Sequence, residues 1–362
     1  NSRSKLKNNT TIYGNLEKNL KPISNNFKNI KIKYNLFSKS KKYLDFFYND
    51  YLKEKFSIIE IHNRPEYLNF FISKKIKSKL IFIFHNNPKD LRGSKKINER
   101  LNILENTDKI FFVSKWSMKK FFEDLPFKTK SNCEILYPSI NKNLKFNYKK
   151  KKQIIFTGKL NSSKGYDLFG ESIIKILNKY KNWNAIVAGN EPREEYEFNH
   201  PRLKIFNWLP HKTIINLYKQ SSIAVVPSRW EEPFGRTAME SAANGCATIT
   251  SNRGGLIETF NNDLILNKIT SNEIYKIINK LILNKSLLKK IQKKNFNNLK
   301  HNIDYLVKYL DSVKINFLEK KFYINRNKNI KILHLSNFNE KNNQRLFNIS
   351  IASKLTNGLI RN

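Results

Sequence analysis

Two carboxylates, Glu232 and Glu240, stand on either side of a Pro-Phe-Gly turn in the segment 227–255, PSRWEEPFGRTAMESAANGCATITSNRGG. One falls on a loop and the other about a turn into a helix, and carboxylates that accept hydrogen bonds in pairs suit the neighbouring hydroxyls of a ribose or a hexose. Gly235 permits close backbone approach, and the first N–H groups of the helix after it are donors with partial positive charge, suited to phosphate or sugar hydroxyls. By themselves the two glutamates read more readily as a solvated helix face with a dipole partner, and it is their context that changes this. Upstream, QIIFTG (153–158) is a strand ending in Gly158, followed by Lys159, Lys164 and Gly165 before a helix opening near Tyr166. A strand, a glycine turn and two ammonium groups at a helix N-terminus form a cradle for a diphosphate.

The elements that must hold these groups follow from periodicity. Residues 223–226 and 246–250 are short apolar runs rich in β-branched residues, closed by Pro227 and by the glycines at 254 and 255. Between them 236–244 has helix-forming composition, with Gly245 placed as a C-terminal stop. Strand, loop, helix, strand is one unit of a parallel α/β sheet, whose ligands gather outside the carboxyl ends of the strands. The first half repeats the pattern: 57–60 leads into IHNRP, 80–84 into HNNP and 109–113 into SKW, each an apolar strand, a polar loop and an amphipathic helix. His85 therefore sits at a strand's carboxyl end, and His62, followed by Asn63, holds the analogous place one strand earlier. A lone histidine there also reads as a surface or packing residue.

Taken in order, TGKLNSSKG, VAGN (187–190), EEPFGRTAME and NRGGLIE resemble glycosyltransferase family 4, the retaining group 1 transferases of the GT-B fold, over about 58–258. The resemblance implies an α/β chain of two Rossmann-like doubly wound domains facing across a cleft. It implies transfer of a hexosyl group from a nucleoside-diphosphate sugar to an acceptor hydroxyl, with retention. On this likeness Gly158, Lys159 and Lys164 hold the diphosphate, with Lys159 where the family more often has arginine, and Glu240 takes the ribose diol. Glu232 meets the donor sugar hydroxyls, and Phe234 and Gly235 offer backbone N–H groups to the sugar. Arg236 belongs to the donor site or is a helix-surface charge. The catalytic roles fall to His85 and Glu232, and His62 and Asn63 are candidates for contact with the acceptor. Fixed positive charge at the lysines and the helix N-terminus would stabilise the diphosphate as the anomeric bond breaks, the leaving phosphate taking the acceptor proton on the same face. Base recognition is expected near Asn190 and 208–211.

No cofactor or metal is expected, since the chain holds no Asp-x-Asp and no His/Cys cluster at ligand spacing. The net charge of +39 is spread over faces that must be plain solvent, and the part not explained by a Lys-, Asn- and Ile-rich composition favours an anionic surface. Basic helices such as SKKIKSK (73–79) would draw a peripheral protein to the cytoplasmic face of a membrane carrying a glycan or lipid-linked acceptor. No apolar run approaches the ~18 residues of a span. A nucleic-acid-binding protein is the competing class; the dispersed basic residues and the lack of a recognised module argue against it, and no nucleic acid is expected as partner. A transferase fold kept only to bind sugar nucleotide or glycan is the other alternative. Cys133 and Cys246 read as buried thiols of a reducing compartment.

The expected organisation is an N-terminal domain over 1–137 whose opening strand-loop-helix is missing, a linker over 138–152, and a nucleotide-sugar domain over 153–300. A return helix and linker follow over 301–325. The strand, polar loop and helix pattern of 326–362 either opens a second transferase domain, the favoured reading, or docks back to fill the edge of the first sheet.

Overall fold

A computed structural model describes residues 6, 9–14, 26–30, 39–140, 146, 149–297, 303–319 and 332–335. The chain divides into two compact units, 1–137 with 303–362, and 138–302.

In chain order the first unit holds β1 (Thr10–Gly14), β2 (Phe27–Asn29), α1 (Lys39–Glu54), β3 (Ile58–His62), α2 (Pro65–Ser73), β4 (Lys79–Phe84), α3 (Ile97–Asn106), β5 (Lys109–Phe112), α4 (Lys115–Phe122) and β6 (Cys133–Ile135). The second holds β7 (Lys151–Thr157), α5 (Tyr166–Lys179), β8 (Asn184–Ala188), β9 (Leu203–Phe206), α6 (His211–Gln220), β10 (Ser221–Val226), α7 (Arg236–Ala243), β11 (Ala247–Thr250), α8 (Ser271–Leu283) and α9 (Lys285–Asn297). The chain then re-enters the first unit with α10 (Ile303–Glu319) and β12 (Ile332–Leu335).

The second unit is a five-stranded parallel sheet in the order β11-β10-β7-β8-β9. Alternation along the strands sends Ile154, Phe156, Val187, Val225 and Ile249 to one face, where α5 and α8 cover them with Phe169, Ile173, Ile176, Ile274 and Ile278. The opposite face, with Ile155, Ile186 and Ala224, is covered by Tyr218 and the apolar side of α6. Each fully buried side chain of this size contributes roughly 1.5–3 kcal/mol. Because β8 and β9 follow β7 on one side, and the chain then returns through α6 to β10 on the other side of β7, the strand order reverses between β7 and β10. Their carboxyl ends open the crevice in which doubly wound sheets place ligands.

The first unit has seven strands in the order β2-β1-β12-β3-β4-β5-β6, all parallel. Ile59, Ile61, Phe82, Phe84 and Phe112 face α1 to α4, packed on Phe47, Phe71, Ile103 and Phe121. Ile58, Ile81, Ile83 and Phe111 face α10 through Leu306, Leu310 and Leu318.

The structure corrects three expectations. The described part of 326–362 does not open a further domain: Ile332–Leu335 pairs with β1 on one side and β3 on the other, filling the centre of the first sheet. The physical reason is that β1 and β3 would otherwise each leave a row of backbone donors and acceptors unpaired in the sheet interior. Around this strand the order is that of a doubly wound sheet, with its central strand the last of the described strands in chain order. SKKIKSK is not a helix, because α2 ends at Ser73 and the backbone turns through Lys75, at φ 47°, into β4. Lys151 and Lys152, placed in the linker by composition, are the first residues of β7. Among the described residues no helix is long and apolar enough to cross a membrane.

Candidate functional site

The loops leaving β7 and β10 line the second unit's crevice. β7 runs into Gly158 and Lys159, then into a short 3-10 turn at Ser162–Lys164 that Asn161 caps by accepting from the Lys164 N–H at 3.1 Å. Gly165, at φ 71°, starts α5; a Cβ there would stand 2.3 Å from the Pro227 carbonyl oxygen, so the turn after β7 lies against the exit of β10. Ser163 O accepts from the N–H groups of Arg229 and Trp230 at 2.9 and 3.0 Å and locks the two loops together. Gly235 (φ 99°) opens α7 and has no room for a Cβ beside Leu256.

Lys164 and Glu232 meet in this crevice, Nζ to Oε1 at 2.5 Å, and the ammonium also lies 4.3 Å from the centre of the Trp230 ring. The Glu232 carbonyl accepts from Gly255 N–H at 2.6 Å, which ties NRGG to the glutamate loop. Glu240, on the first turns of α7, receives Arg236 Nη2 at 2.8 Å and His211 Nε2 at 3.1 Å on the same oxygen, Oε1. Arg236 is thus no helix-surface charge: it is 7% exposed, because an arginine one turn before a buried glutamate folds back to neutralise it. Phe234 is buried and anchors the turn, leaving its backbone at the helix start. Tyr218 bonds Thr157 at the end of β7, and burial, with the Glu240 charge next, raises its hydroxyl pKa well above the ordinary range.

Lys159 faces Glu191, Nζ to Oε2 at 3.7 Å, and Arg193 grips that carboxylate at 2.6 and 2.7 Å. Hydrogen bonding from Arg193, with Lys159 adding charge, brings the Glu191 carboxyl down to about 2. Glu191 was not singled out from the sequence; its signal was a carboxylate directly after the strand-glycine stretch VAGN. His211 was noted only as part of a base-recognition stretch, and nothing local links it to Glu240. A polar cavity of about 430 Å³ lined by Arg229, Asn252, Arg253, Asn267 and Ile269 opens at the ends of β10 and β11, one strand away from the β7–β10 crevice.

In the first unit His62 and His85 come together, which the sequence placed only one strand apart. His85 follows β4, and its Nε2 lies 2.8 Å from Nδ1 of His62 with the two rings nearly parallel. His62 is the last residue of β3, 3% exposed, with Nε2 on Glu60 at 2.8 Å. Its burial fits a support for His85 better than the direct acceptor contact expected of it. Asn63, at φ 56°, accepts from the backbone N–H groups of His85 and Asn86 through Oδ1, each at 3.1 Å, and so fixes the loop that carries His85. Both cysteines are free thiols pushed up by burial, Cys133 to about 12 and Cys246 to about 11.

Residues 140–298 match the family described as Glycosyl transferases group 1. YtcC of Bacillus subtilis, provisionally named a glycosyltransferase, is 23% identical over 248 residues, which make up 59% of this chain and 59% of that protein. The match therefore spans about three-fifths of that relative's length. Among solved structures, Anabaena HepE in complex with UDP-glucose superimposes with a TM-score of 0.61 at 14% identity over 76% of this chain and 82% of that one. A glycosyltransferase from Rickettsia africae gives a TM-score of 0.62 at 19% identity over 80% and 85%. These likenesses establish the GT-B fold. The part of this chain that is similar to the group 1 glycosyl transferases, 140–298, coincides closely with the second compact unit.

Proposed function

We propose that the chain transfers a hexosyl group, with retention, from a nucleoside-diphosphate sugar to a hydroxyl of a cell-surface glycan or its lipid-linked precursor, at the cytoplasmic face of the membrane. The observation that carries this reading is the pairing of Lys164 with Glu232 and of Arg236 and His211 with Glu240 around one glycine-opened helix. Cations for a diphosphate and carboxylates for two diols stand at one topological switch point. The complex of HepE with UDP-glucose, on the same fold, supports a donor of that class.

Each cation is held by an internal carboxylate, Lys159 by Glu191 and Lys164 by Glu232. The incoming diphosphate joins or replaces those partners, so the ammonium groups are already aimed before the donor arrives. As the anomeric bond breaks, charge grows on the diphosphate beside two lysines and the first N–H groups of α7, which stabilise it more than they stabilise the intact donor. Glu240 holds the ribose diol and Glu232 the sugar hydroxyls. The acceptor proton leaves with the phosphate on the same face, which requires no protein nucleophile and gives retention.

The test is thermal stabilisation by UDP, GDP, ADP and CMP, repeated on Glu240→Ala and Lys164→Ala. Ligand at about 100 times its Kd stabilises the folded state by ~2.7 kcal/mol. One diphosphate is expected to raise the melting point of the wild type, and either substitution to abolish the rise. No rise with any nucleotide overturns the donor site.

A further inference from the structure

The first sheet carries a charge in its interior that the proposed transfer leaves without a role. Along β3, Ile58 faces α10, and the alternation of the strand sends Glu60 and His62 the same way. There Lys314 of α10 meets Glu60, Nζ to Oε2 at 2.6 Å, and both side chains are at most 1% exposed. The other oxygen of Glu60 lies 2.8 Å from His62 Nε2, and His62 Nδ1 lies 2.8 Å from His85 Nε2. Four side chains thus form a continuous series of contacts from the return helix, along the sheet face it covers, to the loop after β4. Burying two charges costs much of what their attraction returns, and an apolar pair of similar volume fills a core as well. The pair therefore calls for a role beyond stability.

Proton counting gives each hydrogen bond a direction. Glu60 beside an ammonium is ionised, and an ionised carboxylate only accepts, so His62 carries its hydrogen on Nε2. A neutral His62 then accepts at Nδ1, and His85 must donate from Nε2, leaving Nδ1 as the acceptor of its own ring. We infer that Lys314, Glu60 and His62 are positioning residues that hold His85 as the neutral Nε2–H tautomer. Their logic is that of the buried acid behind a catalytic histidine, extended by one imidazole and anchored on a helix distant in sequence. Asp311, one turn before Lys314 on the same helix, is also buried, and the competing case is one in which such an acid adds its charge to that of Glu60. A second negative charge at Glu60 would stabilise His62 as an imidazolium, and His85 would then carry its hydrogen on Nδ1.

What His85 does for the reaction rests on the proposed transfer, whereas its tautomer is a property of the free chain. The full chain, labelled with 15N at its six histidines, reports each imidazole tautomer by long-range 1H–15N correlation. His62 and His85 are expected as neutral Nε2–H rings, assigned with a His85→Asn variant. The double variant Glu60→Leu/Lys314→Met removes acceptor and cation together, and both rings should shift to a mixture of tautomers. Glu60→Gln/Lys314→Met keeps a carbonyl acceptor and should keep the wild-type pattern. In transfer assays the first double variant should lose about tenfold or more in kcat at unchanged donor KM, and the second should recover most of it. If neither folds, His62→Phe leaves the ion pair in place and should shift the His85 signals alone. A wild-type His85 protonated on Nδ1, an unchanged His85 in a folded Leu/Met or His62→Phe variant, or equal loss of kcat in both double variants would each overturn the relay. A wild type that transfers no sugar from any donor would overturn the proposed function, and the spectra would still decide the relay.

Discussion

Glu191 shows how a single side chain can tie the candidate site at the end of β7 to pH. Arg193 and Lys159 stabilise its ionised form, so its folded pKa of about 2 lies below the ordinary 4.5. A depressed carboxylate contributes stability that is complete above the unfolded pKa and lost as pH falls through the folded one. The urea midpoint of wild type should therefore exceed that of Glu191→Gln by a constant margin above pH ~4.5, and the margin should shrink toward pH ~2. A margin independent of pH across that range would show that the carboxylate's charge does not matter there. Near neutral pH the same substitution frees Lys159 from its internal partner. Much of this crevice was legible residue by residue: Glu232, Glu240, Lys159 and Lys164 lie in short segments flagged by their own glycines. Glu191 as partner of Lys159, and His211 as partner of Glu240, were not legible. Those contacts join segments separated in sequence, and only the strand order brings them together.

At the scale of elements, β12 has the most consequence. It enters the first sheet between β1 and β3 with regular parallel register on both sides, from Ile332 opposite Thr10 and Ile58 to Leu335 opposite Tyr13 and Ile61. A strand paired on both sides cannot accept proline without losing a ladder hydrogen bond. Leu333→Pro is therefore expected to lower the melting point and to raise amide exchange in β1 and β3, while the strands of the second unit keep their protection. Equal protection in wild type and variant would show that the strand does not hold that place. The apolar runs predicted both sheets well because β-branched residues bounded by glycine and proline have few other solutions. The helix assigned to SKKIKSK failed for a complementary reason. Lysine propensity is a weak prior, and the preceding helix had already used its apolar face by Ser73.

For the whole molecule the dominant quantity is a net charge of +39, with 68 basic against 29 acidic residues. Fields of that size act over roughly a Debye length, about 10 Å at 0.1 M salt, and attract anionic surfaces. The chain should sediment with vesicles rich in anionic lipid at low salt, stay in solution with neutral ones, and be released at about 0.5 M salt, where screening is strong. Equal behaviour with both vesicle types would remove the membrane from the proposed function. The sequence by itself determined the α/β class, the two sheets, and the glycine-flanked loops with the carboxylates and lysines of the candidate site, because each is written in local periodicity and in glycines next to charged residues. Only the tertiary structure decided that a late strand fills the centre of the first sheet, that Arg236 is buried against Glu240, and that Lys314 reaches His85 through Glu60 and His62. Backbone pairing and charge neutralisation act through space, and residues far apart in the chain meet only after the sheets have ordered them.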